Sequence, residues 1–351
     1  MRVLALIPDL IRNPPWKQGV EYVLQNRLIA AIPLVRRLSV HPWLYTDVAW
    51  GGALNIMRHA QVARDGGAEV FLTTPTGTDT YGEFGVTGLP WIAWRHRRPD
   101  DLVLIPEFCS ELADRCRGPV IVYLQGPAHV RRNFEYLSQR ITLWTNSPFT
   151  LARCREAFPG KDLPMVPNIV DNRTFKFIPQ SERETGLAIA FPRKGPEFIE
   201  RTISAYRARA GAYWKFELIE GVTQREVAAR MRRPQAFIAS ADLEGCAMPP
   251  QECMASGIVV VGKNANGANF YMEHGSTALV ANTPEQAAQG LIELENAALR
   301  EAISRRAYEY ISRWFPDREP AALWRSTLTR LGFDLNGPRS RPTMEGLGIP
   351  T

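Results

Sequence analysis

Between Ala236 and Gly262 the chain reads AFIASADLEGCAMPPQECMASGIVVVG, an order of residues that few folds accommodate. Ala236–Ser240 is an apolar run of the length of a buried strand. Ala241–Gly245 forms a polar turn and Gln251–Ser256 a short helical segment; Gly257 stops that helix before the β-branched run Ile258–Val261. Strand, turn, helix, stop and strand in succession make a βαβ unit, whose strands must run parallel with the helix covering the sheet. Pro249 and Pro250 fit the first turn of the helix, where a backbone N–H has no intrahelical acceptor to lose. Glu252 then lies in that first turn, at the positive end of the helix dipole. Glu244 is eight positions earlier, in the loop leaving the preceding strand. Both carboxylates are expected at the C-terminal rim of a parallel sheet, where open α/β sheets bind ligands.

The alternation extends over most of the chain. In the first half, strands are expected at Leu44–Ala49, Glu69–Thr74, Trp91–Trp94, Leu102–Pro106, Val120–Leu124 and Ile141–Trp144, with the opening residues as a further strand. Trp50-Gly51-Gly52-Ala53 opens a helix to about Arg64, and Ser147-Pro148 caps another to Phe158. A strand, a Gly-Gly turn and a helix N-terminus form a cradle for a phosphate or sugar, because outward N–H groups meet no side chain. In the second half, strands fall near Leu187–Phe191, Phe216–Ile219, Ala236–Ser240, Ile258–Val261 and Ala278–Val280. Helices lie between them at Pro196–Arg209, Arg225–Met231, around Glu252 and after Thr283. Thr223 with Glu226 and Thr283 with Gln286 are capping boxes. Helices Leu299–Trp314 and Glu319–Leu331 follow. Ile178–Glu184 reads as the linker between halves, and Val20–Leu38 as a core-facing helix, although Trp16, Arg36 and Arg37 also suit contact with a membrane surface. A chain of 351 residues has room for two such α/β domains.

Composition narrows the class. Hydrophobic residues at 45% and charged residues at 22% fit a globular protein, and no apolar run approaches the roughly 20 residues that span a bilayer. Cys109, Cys116, Cys154, Cys246 and Cys253 are odd in number and form no CxxC pair, which favours reduced thiols and a cytoplasmic setting. Net charge is +6, carried by arginine clusters at 95–98, 131–132, 230–233 and 305–306. Such a balance suits anionic partners. The clusters are scattered among helices without interleaved aromatics, so nucleic acid is not the expected partner.

The central stretch resembles the EX7E element of retaining GT-B glycosyltransferases, family 4 in particular, and the bacterial polysaccharide enzymes among them. Ala247 replaces the usual glycine and Cys253 the usual alanine. Val166-Pro167-Asn168-Ile169-Val170-Asp171 resembles the segment where such enzymes pass between domains, with Ile169 in place of glycine. The resemblance covers about Leu44–Leu331. It implies two Rossmann-like βαβ domains facing across a cleft: 1–170 on the acceptor side, with 1–45 an extension of undefined place, and 171–317 binding the nucleotide sugar. A terminal helix at 318–335 would cross back to the first domain, leaving a flexible tail at 336–351.

It also implies roles. Glu244 would contact hydroxyls of the transferred sugar and Glu252 those of the ribose. Arg193 and Lys194 resemble the basic loop that holds the diphosphate, although the family's arginine position is Ile189 here. Gly51, Gly52 and Gly245, with Asn266-Gly267-Ala268, would approach the donor through backbone. Gln125, which cannot act as a general base, and Arg131 are acceptor-side candidates. No Asp-x-Asp occurs and Cys246, Cys253 and His274 match no zinc spacing, so no metal and no cofactor beyond the donor is expected. His59 and His129 read as structural. The implied activity is transfer of a sugar from a nucleotide diphosphate to a saccharide or lipid-linked saccharide, with room for peripheral contact at a membrane's inner face. Two rivals are a non-catalytic GT-B scaffold and a nucleic-acid-modifying enzyme.

Overall fold

The computed structural model describes residues 2–10, 45–46, 51–81, 88–126, 141–209, 212–315 and 318–332. Two parallel sheets organise them. The first has strand order β5-β4-β1-β6-β7-β8, from β1 (Val3–Leu6), β4 (Val70–Thr74), β5 (Trp91–Ala93), β6 (Leu102–Pro106), β7 (Val120–Leu124) and β8 (Ile141–Thr145). The second has order β10-β9-β11-β12-β13, from β9 (Leu187–Ala190), β10 (Lys215–Leu218), β11 (Ala236–Ala239), β12 (Val259–Gly262) and β13 (Ala278–Val280). The strands of the first sheet other than β5, and β9, β11 and β12 of the second, are almost wholly buried; helices on both faces enforce this in parallel sheets. Each sheet builds outward in two directions from its first strand. Its topological switch point therefore lies between β1 and β6 in one and between β9 and β11 in the other.

Helix α1 (Gly51–Asp65) and α2 (Pro148–Ala157) belong to the first half. Ser147 caps α2, its side chain accepting from the Thr150 amide, with Pro148 following. In the second half α3 (Pro196–Arg209), α4 (Gln224–Arg230), α5 (Met248–Ser256), α6 (Pro284–Glu293) and α7 (Ala297–Trp314) follow the expected order. Both capping boxes form, at Thr223 with Glu226 and at Thr283 with Gln286. Gly257 ends α5 in the left-handed region at φ 88°. The last helix, α8 (Arg318–Arg330), packs on α1, and Trp324 and Leu328 are buried in the first half's core.

Three expectations change. Helix α5 starts at Met248 rather than Gln251, because Pro249 and Pro250 take up its first turn, so Glu252 is its fifth residue and lies past the first turn. Of the strand at Leu44–Ala49, the described part is β3 (Tyr45–Thr46), which pairs with β2 (Asp9–Leu10) outside the main sheet. Ile178–Glu184 is no free linker: the Gln180 side chain donates to the carbonyls of Gln235 and Gly257, and the Arg183 guanidinium to those of Ile178, Met231, Pro234 and Ser256. The helix expected at 20–38, Trp16, Arg36, Arg37, Trp50, His129, Arg131 and the tail from 336 lie outside the described residues.

Candidate active site

At the second sheet's switch point the loops after β9 and β11 meet. Gly195 has φ 78°, and a Cβ there would come 2.5 Å from the Ser240 carbonyl oxygen, so no other residue fits. The Ser240 hydroxyl donates to the Lys194 carbonyl, tying the basic loop to the end of β11. So seated, Lys194 Nζ reaches Glu244 Oε1 at 2.6 Å. Lys194 keeps 42% of its side chain exposed and Glu244 20%. Such a half-open pair contributes little stability, and its charges remain available to a ligand. Arg193 beside it is exposed and forms no ion pair among the described residues.

A second loop, 263–269, wraps the first. Lys263 Nζ meets Asp242 Oδ1 at 2.6 Å, and Asn266 Nδ2 donates to the Asp242 carbonyl at 3.0 Å. Ala265, Asn266 and Gly267 all have positive φ, at 53°, 54° and 90°. Gly267 has open space where a Cβ would be, while Ala268 is buried. Ala247, the N-cap of α5, has no side-chain acceptor of its own. Asn269 supplies order from outside: its Oδ1 accepts from the Ala247 amide at 2.9 Å, and Tyr271 donates to the Ala247 carbonyl at 2.6 Å.

The two halves touch directly at this corner. A Cβ on Gly245 would lie 1.7 Å from the Gln125 carbonyl oxygen, so only glycine lets the backbones meet. Gly51 faces Met248 Sδ, 3.2 Å from its would-be Cβ, and Gly52 faces the Gln125 amide group. Gln125 Nε2 donates to the Gly52 carbonyl at 3.2 Å, and its Oε1 accepts from Asn55 at 2.9 Å. Gly51, Gly52, Gln125 and Gly245 are thus brought together, with Glu244 one residue before Gly245 and Lys194 bonded to Glu244.

Glu252 is buried among partners that sequence reasoning missed. Arg58 on α1 donates from Nη2 to Glu252 Oε1 at 2.9 Å and from Nη1 to the Ile169 carbonyl at 2.7 Å. Burial raises the Glu252 carboxyl above its usual range and the Arg58 charge opposes the rise. Asn55 accepts from the Ile169 amide at 3.0 Å, and Asn168 donates to the Cys246 carbonyl at 3.0 Å. One turn along α1, His59 Nδ1 accepts from Trp324 Nε1 at 3.4 Å, so Nε2 carries the proton that meets the Pro167 carbonyl at 3.2 Å. Burial drives the His59 pKa down to about 3, in keeping with that neutral ring. Asn55, Arg58 and His59 recur at helical spacing, a pattern that reads equally as a solvated face.

Glu107 was also missed. It follows β6 at the first sheet's switch point, and burial raises its pKa to about 7 against hydrogen bonds from its own amide and those of Gln125 and Gly126. Its Oε2 has no hydrogen-bond partner among the described residues. Among those residues no three His, Cys, Asp or Glu side chains gather as a cation's ligands would, all five cysteines are buried and none is in a disulfide, and no helix is long and apolar enough to cross a membrane.

The comparisons with known proteins agree with this architecture. A family model described as glycosyl transferases group 1 matches residues 202–310. Among solved structures, HepE of Anabaena in complex with UDP and glucose superposes with a TM-score of 0.62 at 14% identity, covering 81% of this chain and 97% of that one. Sucrose-phosphate synthase of Thermosynechococcus elongatus gives 0.62 at 12% identity over 94% and 99% of the two chains. TarM of S. aureus, as a mutant with Fondaparinux, alpha-GlcNAc-glycerol and UDP, gives 0.54 at 10% over 70% and 57%. No curated protein sequence matches the chain. At these identities the likeness is one of fold, and that fold is GT-B.

Proposed function

We propose that the chain is a retaining, family-4-like glycosyltransferase that moves a sugar from a nucleotide diphosphate to a saccharide or lipid-linked saccharide in polysaccharide synthesis. The observation that carries this reading is the Lys194–Glu244 pair at the switch point between β9 and β11. When the glycosyl bond to phosphate breaks, its electron pair leaves with the diphosphate. Lys194, helped by exposed Arg193, turns from Glu244 to that developing charge and stabilises it more in the transition state than in the bound donor. Glu244, released, accepts from hydroxyls of the transferred sugar. A carboxylate has about four acceptor positions. Arg58 occupies one at Glu252, and ribose hydroxyls take others.

Amides of Gly245 and of the Asn266-Gly267-Ala268 loop approach the donor, as does the Gly51-Gly52 turn, while Gln125 faces the acceptor side. The new bond forms on the face the phosphate leaves, and the acceptor proton passes to the departing phosphate oxygen, so no protein base is required. The fold neighbours solved with UDP support UDP-sugars as the first donors to try. The test is release of UDP from a panel of UDP-sugars with saccharide acceptors. Lys194→Ala lowers turnover by about a hundredfold, on the order of 3 kcal/mol, and weakens donor binding less. Turnover survives EDTA. Equal turnover in the variant would make the loop a surface turn.

A further inference from the structure

Far from this site, at the N-terminal ends of β1, β6 and β7, a cavity of about 210 Å³ is lined by Arg95, Arg97, Arg98, Arg115 and Arg117. Its one acidic lining residue is Asp101. That carboxylate is already engaged from behind: Oδ1 accepts from Arg2 Nε at 2.9 Å, and Oδ2 from Arg2 Nη2 at 2.8 Å and the Arg98 amide at 2.6 Å. Arg2 and Asp101 are both buried, so the pair forms a neutral floor and compensates none of the charges of Arg95, Arg97, Arg98 and Arg117. Arg95, Arg97, Arg98 and Arg117 form no ion pair with any described residue. The wall is built: Arg97 lies 4.5 Å over the Trp94 ring and donates to the Trp94 carbonyl at 3.1 Å. A Cβ on Gly118 would come 2.4 Å from the Asp101 carbonyl oxygen, so only glycine brings the Arg117 segment this close.

We propose that this cavity binds a terminal phosphate monoester. Guanidinium forks match phosphate oxygens two at a time, which a diffuse positive surface does not require. The volume falls below the roughly 300–1,000 Å³ of pockets that enclose a whole drug-sized ligand, so the cavity takes the phosphate group and leaves the rest of its bearer outside. The bearer is a small phosphorylated metabolite or a phospholipid headgroup. The length of β6, about 3.3 Å per residue, separates this cavity from the Gln125–Gly245 corner, so it loads independently of the proposed donor.

Two arms test it on the full chain. In one, glycerol 3-phosphate is titrated calorimetrically at physiological ionic strength, with equal ionic strengths of chloride and sulfate as controls. In the other, the protein is floated with phosphatidic acid vesicles against phosphatidylcholine vesicles. Saturable binding of glycerol 3-phosphate alone identifies a soluble bearer; flotation with phosphatidic acid, with or without it, identifies the headgroup. Arg95→Glu with Arg117→Glu lowers the affinity at least tenfold in whichever arm is positive, and Arg117→Lys, which keeps the charge and loses the fork, lowers it less. No binding in either arm overturns the proposal. So does binding that the charge-reversed variant, or Arg117→Glu alone if the pair fails to fold, leaves unchanged.

Discussion

Glu107 and Glu244 both follow the strand across the switch point from the first strand of their sheet, Glu107 immediately after Pro106 and Glu244 in the loop beyond Ala239. Their surroundings differ in exposure and in counter-charge, and for Glu107 that difference decides its charge. Glu244 has a lysine 2.6 Å away; Glu107 is buried with amide donors and no cation among the described residues. Desolvation without a counter-charge favours the protonated acid, hence the pKa of about 7 against a usual 4.5. The folded state then holds this proton more tightly than the unfolded chain. Its contribution is fully present below the unfolded value and is lost as pH rises through about 7. Glu107→Gln keeps the shape and removes the titration. Measured by urea unfolding, wild type should lose about 2–3 kcal/mol relative to the variant between pH 5 and pH 9, since one pKa unit is worth about 1.4 kcal/mol. A constant difference across that range would mean that the carboxyl stays ionised in the fold.

At the scale of elements, α1 is the part that joins the halves, because one of its faces carries Asn55, Arg58 and His59 against the 166–169 crossing and against Glu252. A buried ion pair contributes little net stability, but removing one partner strands the other. Arg58→Ala should therefore cost about 3–5 kcal/mol. Adding Glu252→Gln should recover part of it, because the amide carries no charge to strand. Denaturant unfolding of the four proteins in the cycle reads this coupling, and strict additivity would rule it out. The same helix shows where sequence reading stops. Capping boxes at Thr223 and Thr283, and the full span of α3, are written in a few consecutive residues and were legible. So was the placing of Lys194 and Glu244 on rim loops, from strand ends and glycines. The Arg58–Glu252 pair joins residues 194 positions apart, and helical periodicity does not distinguish a polar face against another domain from one in water. Ile178–Glu184 misleads for a related reason. Its proline and charges look like a linker, whereas Arg183 finds carbonyls 48 and 51 residues away at Met231 and Pro234.

For the whole molecule, connectivity sets how the halves respond to damage. The chain leaves the first half through 166–169 and returns to it in α8, whose Trp324 ring meets Trp144 at 4.9 Å and 76° and whose indole N–H bonds His59. The first half's core is therefore completed by residues at the far end of the chain, while β9–β13 and their helices close without them. Trp324→Ala should cost about 3–5 kcal/mol, the range for emptying a buried aromatic site. It also leaves the His59 acceptor bare. Protonation of His59 at its lowered pKa opposes the fold, so stability present above the usual histidine value of about 6.5 falls as pH drops toward 3. The variant, with a looser pocket around the ring, should show a shallower fall. Local opening distributes by contact, so hydrogen exchange should rise in α1 and β8 while β9, β11 and β12 stay protected. Nucleotide affinity then falls less than turnover, because of the groups proposed to hold the donor only the Gly51-Gly52 turn and the Arg58 support of Glu252 belong to the loosened α1, while the proposed acceptor side lies wholly in the first half. Exchange rising equally in both sheets would instead show that the two halves open as one cooperative unit, with α8 as the clasp for both.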